Sequence, residues 1–92
     1  MITEEIRKDK EALIEQVFQD ACVARHEGRF SNASRSAGRL VGLVDAFIGI
    51  DSDLFWLASK RHDQYCDYSR SGVLHSDEFA LREVREALGS AA

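Results

Sequence analysis

The stretch AGRLVGLVDAFIGIDSDLFWL, residues 37–57, limits what this chain can fold into more than any other part of it. Between Ala37 and Ile50 only Arg39 and Asp45 carry charge, and the other residues are apolar or glycine. Such a run has to be covered by the remainder of the chain, by another copy of it, or by a partner. Its length raises the question of a membrane span. Asp45, Asp51 and Asp53 inside it, with no apolar extension on either side, argue against one.

What can cover the run follows from the rest of the sequence. The chain contains no proline, and alanine, leucine, glutamate and arginine outnumber β-branched residues. That mixture favours helix throughout. Ninety-two residues, 45% hydrophobic and 30% charged, are expected to form a single helical domain over 1–92 with an adequate core that self-association often supplements.

Helical periodicity places the elements. The first helix is predicted over 3–27, with Thr3 as N-cap and Glu4 and Glu5 in its positive first turn. Its apolar stripe is Ile6, Leu13, Ile14, Val17, Phe18, Ala21 and Ala24, and Gly28 ends it. The link GRFSNAS offers Asn32 or Ser34 as the next cap, with Phe30 as a hydrophobic staple. The second helix is predicted over about 34–49, burying Ala37, Leu40, Val41, Val44, Phe47 and Ile48. Ser34, Gly38, Gly42 and Gly49 fall close to a second line of small residues. Glycine inside a helix costs about 1 kcal/mol against alanine. Gly38 and Gly42 therefore imply a close helix crossing, either within the monomer or between two subunits.

Gly49 and Ile50 break that helix, and Asp51 or Ser52 starts a third that ends before Gly72. Leu54, Leu57, Ala58, Arg61, Tyr65 and Tyr68 share one side of it, with Phe55, His62 and Cys66 alongside. Phe55 and Trp56 are consecutive and cannot both face one core, so one of them is assigned to an edge or an interface. Ser76 caps a last helix to about Leu88, carrying Ala80, Leu81, Val84, Ala87 and Leu88 inward. The expected fold is all-α, a small three- to four-helix antiparallel bundle.

Four constellations could carry chemistry. Cys22 and His26, and again His62 and Cys66, stand four residues apart on helices, so two helices could present two sulfurs and two imidazoles to a metal. The short Cys-x-x-Cys knuckle that usually accompanies such a site is missing, and no metal or other cofactor is assigned. Residues 44–58 have the outline of a helix-turn-helix. Asp45 stands where that motif wants a small residue, and Asp51 and Asp53 would turn carboxylates toward phosphates. Arg25, Arg29, Arg35 and Arg39 flank a serine-rich turn that opens a helix, an arrangement suited to an anion or to acids of a partner. For catalysis, His26, His62 and His75 lack a neighbouring nucleophile in any recognisable motif, and on a helix His62 faces Cys66 while Asp63 faces Asp67. No enzymatic activity is expected.

The net charge of −4 and pI near 5.3 weigh against bulk nucleic-acid binding, although residues 21–39 are locally basic. Two cysteines are too few for a disulfide framework and the amino-terminal residues are charged, so a reduced cytoplasmic setting without membrane association is expected. The sequence is read as a non-enzymatic helical protein that binds another protein as an adaptor, inhibitor or regulatory accessory protein, and as a homodimer. Arg35, Arg39, Phe55 and Trp56 are its candidate partner-binding residues, because arginine and aromatic side chains anchor interfaces. Nucleic-acid binding through residues 25–39 is the alternative.

Overall fold

The computed structural model describes residues 3–71, which form three helices: α1, Glu4–His26; α2, Phe30–Phe47; and α3, Ser52–Ser71. No strand occurs among the described residues, and the expected helix over 76–88 lies outside them. Each helix packs against both of the others. The Arg7 guanidinium meets Asp51 at one end of the α1–α3 pair and Arg25 meets Ser69 at the other. α1 and α3 therefore run in the same direction, with α2 returning between them.

α1 begins as its sequence dictates. The Thr3 hydroxyl accepts a hydrogen bond from the Ile6 amide at 3.2 Å, and Glu4 and Glu5 occupy the first turn. Ile14, Val17, Phe18, Ala21, Cys22 and Ala24 are buried along one side. Ile6, expected on that stripe, is exposed. Gly28, at φ +80°, adopts the left-handed conformation that a C-terminal turn requires, and the Arg29 amide donates to the Ala24 carbonyl at 2.8 Å.

α2 starts four residues earlier than the cap residues suggest. Its N-cap is Arg29, which makes no side-chain capping bond, and Phe30 is the first helical residue rather than a staple. The gain lies in packing. Starting early turns Ala33 into the core one turn ahead of Ala37 and Leu40, while Ser31, Asn32 and Ser34 point to solvent. The inner stripe is Ala33, Ala37, Leu40, Val44 and Phe47, stepping by four and three residues, with Leu43 beside it. Val41 and Ile48 were expected to be buried here, but both are exposed.

α3 lays Leu54, Ala58, Arg61, Tyr65 and Tyr68 into the core at the same alternating spacing. The one cation among them, Arg61, is 4% exposed. Its Nε donates to Glu15 at 2.7 Å, its Nη1 to Gln64 at 2.9 Å, and its guanidinium lies 5.8 Å from the centre of the Phe18 ring. A buried guanidinium is tolerated only when partnered in this way. With the Arg7–Asp51 contact below and the Arg25–Ser69 contact above, the seam between α1 and α3 carries a polar fastening at three levels.

Candidate functional site

The link between α2 and α3 forms the first of two surfaces with functional character. α2 ends at Phe47, Ile48 takes an extended conformation, and Gly49 turns the chain at φ +73°. The Phe47 carbonyl accepts from the amides of both Ile50 and Asp51, which tightens the turn. The reversal throws the side chains of Ile48 and Ile50 outward, where they are 59% and 65% exposed. Phe47, Ile48, Gly49, Ile50, Asp51, Ser52 and Phe55 line an open cleft of about 370 Å³.

The acid in this cleft is already engaged. Asp51 Oδ1 accepts from the Leu54 amide at 3.1 Å and caps α3, while Oδ2 accepts from Arg7 Nη2 at 2.8 Å. The backbone amide of Leu54 and then the Arg7 guanidinium hold the Asp51 carboxyl below the usual carboxylate range. Asp51 is thus a fastening of the fold, and the cleft is apolar in its chemistry.

One turn along α3 the consecutive aromatics divide as the sequence requires. Phe55 is half-buried against the core and Trp56 is 67% exposed, its ring edge-on to Phe55 with centroids 5.2 Å apart. Ile48, Ile50 and Trp56 are the most exposed large aliphatic or indole side chains in the described structure, and they belong to the same end of the bundle. Sequence reasoning singled out Phe55 and Trp56 but assigned Ile48 to the core. The signal that could have corrected it is Gly49, since a residue immediately before a left-handed glycine no longer follows the helical register.

The second surface is the outer face of α2. Arg35, Gly38, Arg39, Gly42, Asp45 and Ala46 are all exposed, with Val41 on its flank. Among the described residues, a Cβ added at Gly38 or Gly42 would meet nothing within 4 Å. The two glycines therefore do not serve a close crossing among the described helices, because α1 and α3 pack against the opposite side of α2. Arg35, Arg39 and Asp45 make no ion pair among the described residues. Of the expected partner-binding set, Arg35 and Arg39 lie on this face, whereas Phe55 and Trp56 lie on α3.

The arginines at 25–39 do not form one basic surface. Arg25 is committed to Ser69 and lies 4.8 Å over the Phe30 ring, and Arg29 pairs with Glu27. Only Arg35 and Arg39 face outward without an acid partner among the described residues. The cysteine–histidine pairs are also separated. Cys22 is buried, and desolvation pushes its thiol up to about 12. His26 is exposed, and the Cys66 sulfur lies 3.8 Å from His62 Nε2. No group of three or more potential metal ligands gathers among the described residues. Nor, among them, is any helix long and apolar enough to cross a membrane. His75, the third histidine, lies outside the described residues.

No family model, curated protein or solved structure matches the chain.

Proposed function

We propose that this chain is a non-enzymatic binding protein that acts through protein–protein contact, as a regulatory or adaptor component, and works as a homodimer. The observation that carries the reading is the apolar end of the bundle, where Ile48 and Ile50 stand 59% and 65% exposed on an open cleft and Trp56, 67% exposed, packs edge-on to Phe55 of the cleft lining. Ile48 and Ile50 are held outward by a turn that the Phe47 carbonyl tightens. Large exposed apolar groups gathered at one place mark contact surfaces. An indole backed by a second aromatic ring is a rigid anchor for one.

In this reading Trp56 and Phe55 contact the protein partner, while Arg35 and Arg39 lie on a separate face available for association. The alternative of nucleic-acid binding retains Arg35 and Arg39 as its cations, since Arg25 and Arg29 are engaged within the chain. Two outward arginines on a chain of net charge −4 make a small electrostatic footprint.

Native mass and light scattering at micromolar concentration, combined with affinity capture by wild type and by Trp56→Ser, test the proposal. A dimer, with one captured protein lost specifically from the Trp56→Ser variant, is the expected result. A monomer that captures nothing would remove the reading. A salt-sensitive shift of DNA or RNA at low ionic strength would replace it with the alternative.

A further inference from the structure

The outer face of α2 carries a pattern that neither the core nor the aromatic end explains. Gly42 stands at its middle. Arg39 lies three residues before it and Asp45 three residues after, and these are the only charges between Ala37 and Ile50. At 1.5 Å per residue each charge sits about 4.5 Å along the helix from Gly42, in opposite directions. Six residues apart, the two are not helical neighbours and do not pair with each other. Neither has an ion-pair partner among the described residues. The face between them is flat: Gly38 and Gly42 have open space where a Cβ would stand, and Ala46 continues the same line.

From this arrangement we propose that the outer face of α2 is a homodimer seam, in which α2 of one chain packs antiparallel on α2 of a second copy with the two-fold axis at Gly42. The inference rests on the homodimer reading above and specifies its geometry. A two-fold interface must be complementary to itself, and this face meets that condition in one orientation only. Antiparallel pairing about Gly42 brings Arg39 level along the axis with Asp45 of the second copy, and Asp45 level with its Arg39; each charge lies about 60° round the helix from Gly42, so every arginine reaches across the seam to a carboxylate as its nearest charge, twice by symmetry. Parallel pairing would set Arg39 against Arg39 and Asp45 against Asp45.

The glycines supply the close approach. With helix axes roughly 8 Å apart, at the near end of the packed range, an arginine side chain spans the gap to the opposite carboxylate. In the same pairing Gly38 falls opposite Ala46, so small residues meet small residues on both sides of the axis. Val41, 42% exposed in the single chain, would be covered at the flank. The occupant is chosen by charge: an unrelated partner would not require the acid and the base to be equidistant from one glycine.

Sedimentation equilibrium of the full chain tests the seam, using wild type, Arg39→Asp, Asp45→Arg and the double variant. Wild type should dimerise. Each single change places like charges together twice and should weaken the dimer by at least about tenfold, and the double variant should regain wild-type affinity. Gly42→Cys in a Cys66→Ser background should cross-link to a covalent dimer under mild oxidation, while the exposed Lys10→Cys should not. All substituted positions except Cys66 are exposed, and circular dichroism checks that each variant keeps its helices. A dimer indifferent to all three charge variants, with no cross-link at position 42, overturns the seam and leaves protein binding standing. A wild-type chain that stays monomeric overturns both the seam and the homodimer.

Discussion

The seam between α1 and α3 and the outer face of α2 are built from the same kinds of residue and put them to opposite uses. In the seam Arg7, Arg25 and Arg61 are held by Asp51, Ser69 and Glu15, at separations of 44 to 46 residues in the chain. Each of these cations is at least half withdrawn from water and each has found a partner, as desolvation requires. On α2 an arginine and an aspartate stand in solvent with their pairing capacity unspent. The contrast separates charge that fixes the monomer from charge left available to something outside it.

The contrast can be broken most sharply at Arg61. Arg61→Ala leaves Glu15 unpaired beside an apolar core and removes packing over Phe18. It should lower unfolding free energy by about 2–4 kcal/mol in urea denaturation. Arg61→Met restores packing but still leaves Glu15 unpaired, so it should recover only part of that loss, whereas Arg61→Met combined with Glu15→Leu should recover more than half. If the alanine variant were as stable as wild type, the seam would be no fastening at all.

A smaller effect is expected at Asp51, together with a change in pH response. Its carboxyl titrates below its unfolded value, so its contribution is present above the ordinary aspartate range and fades as the pH falls through the lowered folded value. Asp51→Asn keeps a capping oxygen for Leu54 but loses the ion pair with Arg7. It should therefore be less stable near neutrality and show a flatter decline on acidification below about pH 4. Thermal melts of both proteins across that range provide the comparison.

Smaller still, and opposite in sign, is the response of the open face. Alanine at Gly42 meets no obstacle among the described residues and should raise monomer stability by up to about 1 kcal/mol, as measured under dilute conditions. Association through that face should weaken in the same variant. Loss of monomer stability would mean that the glycine serves the single chain after all. The smallest change belongs to Trp56: replacement by alanine should move unfolding free energy by no more than about 0.5 kcal/mol, since most of the indole already stands in water.

Most of the helical framework was legible in the residues, for local reasons. Thr3, Gly28, Gly49 and Asp51 are start and stop signals whose physics lies within one turn, and each acts as it reads. The start of α2 was misplaced because Asn32 and Ser34 are stronger caps than Arg29, while the decision was made by burial of Ala33 against other helices. The α2 stripe failed in the same way at Val41 and Ile48: hydrophobicity marks a side chain as suited to a core without saying which angular sector the core occupies. The candidate surfaces were half legible. The aromatic pair had to divide, and it does so at Phe55 and Trp56. Ile50, exposed by a turn, carried no signal of its own, and nothing local pairs Arg7 with Asp51 across 44 residues.

The fastenings along the seam also have a temporal consequence. α1 with α2, and α2 with α3, are hairpins joined by short turns and can form by local search. The Arg7–Asp51, Glu15–Arg61 and Arg25–Ser69 contacts must wait until the third helix closes back on the first, after the larger loop entropy has been overcome. We expect contacts made that late to stand on the native side of the folding barrier. Weakening them should leave the rate of folding nearly unchanged and hasten unfolding. The seam would then govern how long a folded molecule lasts more than how quickly it is reached.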